Sequence, residues 1–164
     1  MSTGPAFPRA AEIEHSLERL AELCEDPTAL VYERLFELQP EMKPYFWRDT
    51  NGAIRGEMLS RTVEAIFDFI GERRYADHML GTEMITHEGY DVPREVVITF
   101  FSVIRDTARD LCGGAWTPAF ESAWSEMIAE IETYVGLTPR VNAENAYFKG
   151  QREKFEAGDV PLPG

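Results

Sequence analysis

The stretch MITHEGYDVPREV, residues 84–96, contains one of only three histidines in the chain. His87 falls where a helical pattern ends, just before Gly89, and Pro93 is suited to open the next helix. A lone histidine at a helix end is more often a capping or solvent-facing residue, because its protonated form interacts favourably with the helix C-terminus. The alternative is that this imidazole binds a metal ion.

The chain offers few partners with which His87 could share a metal. His15 lies on the polar face of the first predicted helix, and His78 stands in the charged stretch YADHML. No second histidine, cysteine or carboxylate stands at a zinc-like spacing from His87. The sequence also has no Ser-His-Asp order and no glycine-rich phosphate loop. A metal at His87 would therefore have one protein ligand, and a porphyrin is the cofactor for which one ligand suffices.

Composition limits the classes of partner. The chain has 164 residues, of which 44% are hydrophobic, so it fits one domain with a substantial core. Its 16 basic and 29 acidic residues give a net charge of −13, which argues against nucleic acid and anionic membranes as main partners. Cys24 and Cys112 are too few for a disulfide framework and suit a reducing cytosol. No C-x-x-C-H motif for covalent haem attachment occurs.

The sequence predicts a cytoplasmic protein. Its first residues, MSTGPAFPRA, lack the apolar region of a signal peptide. No apolar run approaches the roughly 20 residues that span a bilayer. Residues 1–9 are expected to be a flexible arm, residues 10–136 the folded domain, and residues 137–164 a polar C-terminal tail.

Helical periodicity recurs along the chain and predicts an all-α domain of about seven helices. Pro40 and Pro44 predict a tight, irregular corner after the second helix, and Gly81 is expected to interrupt the helix over 76–87. Thr117 is suited to cap the last helix, and Gly113 to end the helix before it. The predicted apolar stripes comprise Ile13, Leu17, Leu20, Ala21 and Cys24; Leu30, Val31, Leu35 and Leu38; Leu59, Val63, Ile66, Phe67 and Ile70; Val97, Phe100, Ile104, Ala108 and Leu111; and Phe120, Trp124, Met127, Ile128, Ile131 and Val135.

Three stretches, in order and correctly separated, resemble parts of a globin. LVYERLFELQPEMKPYF (30–46) is similar to the second and third helices and the phenylalanine corner that follows. THEGYDVPREV (86–96) is similar to the corner after the proximal histidine, and GGAWTPAFESAW (113–124) to the turn into the last helix. The chain resembles bacterial single-domain haemoglobins and the haem domain of flavohaemoglobins over about residues 10–136.

The resemblance implies a globin fold around one non-covalently held haem b, iron protoporphyrin IX. His87 would be the proximal ligand, binding iron through Nε2 while Nδ1–H donates to a nearby backbone carbonyl. Phe46 would stack on the porphyrin. Tyr32, fourteen residues earlier, would donate its O–H to a gas ligand and slow its escape. The alternative for both aromatic residues is ordinary core packing.

The resemblance also implies a distal wall from the helix over about 54–70. Leu59 would roof the iron, and Arg55, on the same face four residues earlier, would stand where relatives commonly carry His or Gln. An arginine there could bond a ligand or reach a haem propionate. Further apolar residues expected to line the haem, with plain core packing as the alternative, are Val63, Met84, Val92 and Val97.

Two departures from flavohaemoglobins bear on function. Val97 stands where they carry a tyrosine of the proximal network, and its partner glutamate would fall near Pro139. A reductase domain is not expected in a chain of this length. The first expectation is therefore reversible binding of dioxygen, with nitric oxide and carbon monoxide as further ligands, by a monomer or homodimer. The alternatives are a nitric oxide dioxygenase served by an external reductase, and a globin-like gas or redox sensor.

Overall fold

A computed structural model describes residues 7–137, and this part of the chain is all-α, without a strand. The predicted fold class, all-α, is confirmed. The six α-helices are α1 (Ala10–Leu23), α2 (Thr28–Leu38), α3 (Ala53–Ile70), α4 (Ala76–Gly89), α5 (Arg94–Cys112) and α6 (Pro118–Leu137). Two 3₁₀ helices, Pro40–Phe46 and Gly113–Ala115, lie between them. No described helix combines the length and apolar character needed to cross a bilayer.

Predicted turn residues set several helix ends. The Thr117 hydroxyl accepts a hydrogen bond of 3.1 Å from the backbone N–H of Phe120 and caps α6. Gly113 follows α5 with a φ of 53°, a conformation that glycine adopts at little cost. The proline corner forms a 3₁₀ helix, as suits a short segment holding Pro44. Gly81 does not interrupt α4, which contradicts the prediction.

Two aspartates hold the N-termini of the central helices. Asp49 accepts hydrogen bonds from the backbone N–H groups of Ile54 and Arg55 at the start of α3. Asp68, near the end of α3, accepts from the backbone N–H groups leading into α4, with Ala76 the last of them. These carboxylates satisfy orphan donors and lie at the positive end of each helix dipole.

The helices pack around one core. Helix α1 lies against α5 and α6, α2 against α5, and α3 against α4. Trp124 of α6 is fully buried, and its Nε1–H donates to the Ser16 hydroxyl at 2.8 Å. That hydroxyl donates in turn to the Ile13 carbonyl at 2.7 Å. The polar atoms at this helix contact are therefore satisfied, as burial requires.

Four residues of the predicted stripes are exposed, one of them Ala21 of α1. Leu30 and Leu38 of α2 are 41% and 60% exposed, and Phe67 of α3 is 43% exposed. Tyr32 is buried in α2 instead, and Phe69 in α3. Apolar residues outnumber the inward positions of both helices, so packing against neighbouring helices chooses the buried set.

The described part of the chain includes the end of the expected N-terminal arm but almost none of the expected C-terminal tail. Phe7, within the expected N-terminal arm, is buried, and its N–H donates to the Ile70 carbonyl at 3.2 Å. The expected tail over 137–164 and the position of Pro139 lie outside the described residues, apart from the last residue of α6. Cys24 and Cys112 are both free thiols.

Candidate functional site

A cavity of about 460 Å³ opens between α2, the Pro40–Phe46 corner, α3, α4 and the start of α5. Cavities for small molecules and cofactors span roughly 300–1,000 Å³ and are mainly apolar. Most residues that line this cavity are aliphatic, aromatic or methionine. Of the predicted site residues, those that line it are Tyr32, Phe46, Met84, His87, Val92 and Val97.

His87 lies in the last turn of α4 and lines the cavity. Its Nδ1 is 2.7 Å from the backbone carbonyl oxygen of Glu83, one helical turn earlier. Because a carbonyl oxygen only accepts, Nδ1 carries the proton and Nε2 of the neutral ring keeps its lone pair. Within residues 7–137, Nε2 makes no hydrogen bond. This geometry suits metal binding through Nε2.

The turn after His87 is fixed by its own hydrogen bonds. The His87 carbonyl accepts from the backbone N–H groups of Tyr90 and Val92 at 3.0 and 2.9 Å. Asp91 has a φ of 62°, in the left-handed region that aspartate tolerates better than most residues. This turn carries Val92 to the cavity wall.

Arg94, at the start of α5, anchors the same turn. It is buried, forms an ion pair with Glu88 beside His87, and donates to the Val135 carbonyl at 2.9 Å. The ion pair joins α4 to α5, and the hydrogen bond to Val135 joins α5 to α6. The sequence reading did not single out Arg94, because its distant partner on α6 follows from tertiary packing alone.

Tyr32 belongs to an aromatic cluster beside the cavity. Its ring contacts Phe36, Phe46 and Phe100, with centroid distances of 5.8, 5.3 and 5.5 Å. Edge and tilted contacts of this kind are favourable for aromatic rings. They hold Tyr32 and Phe46 in place at the cavity wall.

The Tyr32 hydroxyl is buried and has no hydrogen-bond partner among the described residues. Burial raises the pKa of Tyr32 far above the ordinary value for tyrosine, although the nearby charge of Arg55 opposes this shift. The group therefore remains a neutral O–H donor across the physiological range. An unpaired buried hydroxyl is costly, and its presence beside a cavity calls for an acceptor there.

Helix α3 presents a different face to the cavity from the one expected. Met58, Thr62 and Ala65 line it, at the spacing i, i+4, i+7 of one helical face. Leu59 and Val63 stand one position further along, outside the lining residues, with Leu59 buried in the core. A rotation of one residue, about 100°, separates the two faces. The signal in the sequence for this face was that Met58, Thr62 and Ala65, which are apolar or only weakly polar, recur at helical spacing.

Arg55 is also outside the cavity lining. Its Nε donates to the Asp49 carboxylate at 2.8 Å, and its Nη2 to the Asp49 carbonyl at 3.0 Å. Although burial alone raises the pKa of Asp49, hydrogen bonds from Arg55 and Ile54 hold it below the usual range. Arg55 therefore stabilises the start of α3.

Other side chains line the cavity where it meets solvent. Tyr45 and Tyr90 are exposed lining residues. Arg48 and Arg61 also line the cavity and are exposed at its edge. Thr62 is closer to the interior, but its hydroxyl already donates to the Met58 carbonyl at 2.8 Å. The arginines that line the cavity are thus exposed at its rim, while the lining residues that are not exposed include Asp49, Thr62 and Glu83 as well as Tyr32 and His87.

The other two histidines do not line the cavity. His15 and His78 are exposed. Among the described residues, no three His, Cys, Asp or Glu side chains are grouped as a metal site.

No family model, curated protein or solved structure matches this chain.

Proposed function

We propose that this chain is a globin that holds one haem b and reversibly binds dioxygen or another diatomic gas at the iron. One observation carries the proposal. A single apolar cavity is lined by a histidine whose Nδ1–H is already donated and by a tyrosine whose O–H has no acceptor among the described residues.

The chemistry of His87 fits an iron porphyrin. A single imidazole is enough to hold haem iron, whereas other protein metal sites need several side chains. The hydrogen bond to the Glu83 carbonyl selects the tautomer with a free Nε2 and holds the ring orientation. When bound, a haem would supply an iron centre with one coordination position for a gas.

The rest of the cavity fits the two faces of a porphyrin and its carboxylates. Phe46 would contact the ring face, and Met84 and Val97 would keep water from the interior. Arg48 and Arg61, at the exposed rim, would pair with the propionates. The positive charge of these two arginines thus lies where the cavity meets solvent.

Tyr32 would donate its hydroxyl hydrogen to a ligand that carries partial negative charge. Thr62 is engaged with the Met58 carbonyl, and Arg55 with Asp49, so Tyr32 is the donor with an unmet bond near this wall. A hydrogen bond of this kind slows the loss of dioxygen more than that of carbon monoxide, which carries less charge.

The order of the helices also supports a globin fold. A 3₁₀ corner after the second helix and a histidine at the end of α4 are the features that the resemblance implies.

The absorption spectrum of the purified chain mixed with haemin tests the proposal. Wild type should bind haem in a one-to-one ratio with a Soret band that shifts on reduction and on addition of carbon monoxide. His87→Gly should bind haem weakly and regain a defined spectrum with added imidazole. His78→Gly, an exposed position in the same helix, is the matched control and should match wild type. Equal spectra for all three proteins, without imidazole, would overturn the proposal.

A further inference from the structure

The Glu83 carboxylate is a second neighbour of the His87 imidazole. Its Oε2 lies 3.5 Å from Nδ1, while the Glu83 backbone carbonyl oxygen lies 2.7 Å from the same atom. One residue, a helical turn before the histidine, therefore supplies both a hydrogen-bond acceptor and a negative charge on the side of the ring away from Nε2.

Within residues 7–137, no Arg or Lys side chain forms an ion pair with the Glu83 carboxylate. Among the described residues its only ion-pair contact is His87, whereas Glu88 is paired with Arg94 and Asp49 with Arg55. The Glu83 side chain lines the cavity and is 39% exposed, so solvent weakens its field only in part. Its negative charge therefore acts on the imidazole.

We infer that Glu83 is a positioning residue that acts through His87 to strengthen the imidazole as a ligand and to favour ferric over ferrous iron. This inference rests on the proposed function. A carboxylate beside the ring nitrogen that does not bind the metal raises the basicity of a ligating histidine and orients its ring. A fixed negative charge also stabilises the more positive oxidation state of the metal.

The expected size follows from the partial exposure of Glu83. Removing an outer partner of a ligating histidine typically lowers metal affinity or activity by about 10–100-fold. For a partly exposed carboxylate we expect the lower end. Glu83→Gln should shift the ferric–ferrous equilibrium about tenfold toward ferrous iron, which is about 59 mV for one electron.

Spectroelectrochemical titration of the haem-loaded protein measures this shift. Glu83→Gln removes the charge and keeps the shape, and Glu83→Asp keeps a carboxylate on a shorter stem. Glu72→Gln removes an exposed carboxylate paired with Arg74, between α3 and α4, and controls for net charge. The iron–histidine stretching frequency, from resonance Raman spectra of the ferrous proteins, is a second readout that a merely structural role would not move.

The expected order of midpoint potentials is wild type lowest, Glu83→Asp intermediate and Glu83→Gln highest, with Glu72→Gln equal to wild type. The iron–histidine frequency should fall in Glu83→Gln. Should that variant not hold haem, Glu83→Ala carries the same expectation. Loaded proteins with equal potentials and frequencies, or an equal shift in Glu72→Gln, would overturn this inference alone. A wild-type chain that takes up no haem would overturn the proposed function and this inference with it.

Discussion

The ring of Tyr32 stands edge-on to the ring of Phe46, with centroids 5.3 Å apart and an interplanar angle of 69°. The contact joins α2 to the 3₁₀ corner and places both rings on the wall of one cavity. The tyrosine that would meet a gas ligand is thus packed directly against the phenylalanine that would meet the porphyrin.

Tyr32→Phe should weaken the retention of dioxygen without lowering the stability of the protein. Loss of an unpaired buried hydroxyl should leave the apoprotein as stable as wild type or more stable by about 1 kcal/mol. Dioxygen should leave the haem-loaded variant about tenfold faster, because a hydrogen bond to a charged acceptor is lost. Chemical denaturation and stopped-flow measurements of oxygen release check the two parts.

Tyr134→Phe is the matched control for that variant. The Tyr134 hydroxyl donates to the Asp77 carbonyl at 2.8 Å, so its loss should lower the free energy of unfolding by about 1 kcal/mol. Oxygen release should stay at the wild-type rate. Equal release rates for wild type and Tyr32→Phe would remove Tyr32 from the site.

Neighbouring substitutions in α3 test which face of the helix meets the cavity. Leu59→Ala should lower the free energy of unfolding by about 3 kcal/mol, since Leu59 is buried in the core, and should leave the haem spectrum unchanged. Met58→Ala should cost less stability and should alter the spectrum or the carbon monoxide binding rate. A changed spectrum in Leu59→Ala and an unchanged one in Met58→Ala would show that the face expected from the sequence, with Leu59, meets the cavity.

The aspartates that cap α3 and α4 should make the protein sensitive to acid. Although burial acts in the opposite direction, backbone N–H groups hold the pKa of Asp49 and of Asp68 below the ordinary value of 3.8. The unfolded chain then binds more protons in the range below pH 3.8, so stability is present above that pH and is lost as pH falls through the folded values.

Denaturant midpoints measured from about pH 5 to about pH 3 check this expectation. The loss of stability over this range should be smaller in Asp49→Asn and in Asp68→Asn than in wild type. Glu57→Gln removes an exposed carboxylate on α3 and should keep the wild-type slope. Slopes that match wild type in both aspartate variants would refute the role of the caps in acid sensitivity.

Arg94→Ala should lower the free energy of unfolding by about 3 kcal/mol, because it leaves the largely buried Glu88 carboxylate without this partner. Adding Glu88→Gln should restore part of the loss. Arg19→Ala breaks an exposed pair with Glu22 and should change stability by less than about 0.5 kcal/mol. Urea denaturation measures all three, and a small effect of Arg94→Ala would contradict the anchoring role.

The sequence predicted some parts of the site better than others. The family resemblance predicted His87, Tyr32 and Phe46 as neighbours in one pocket, and all three line the cavity. Leu59 and Val63 were expected on the cavity wall, but the cavity is lined by Met58 and Thr62. A helix with apolar residues on several faces does not by itself select the face that turns inward.

Long-range partners were likewise beyond the sequence pattern. Arg55 was expected near the iron, but its pairing with Asp49 draws it to the start of α3. Arg94 acquires its role from the Val135 carbonyl, 41 positions away. Such contacts depend on how helices cross, and neighbouring residues carry little information about that.

By itself, the sequence determined the all-α class, most helix ends and the position of His87 at the end of a helix, because periodicity and turn chemistry act within a few residues. Tertiary structure alone decided the rotation of α3, and it buried the Tyr32 hydroxyl without a hydrogen-bond partner among the described residues. It also brought Tyr32 and α3 to the wall of one cavity. Those outcomes depend on the close packing of side chains from segments far apart in the chain, where a shift of one helical position changes every neighbour.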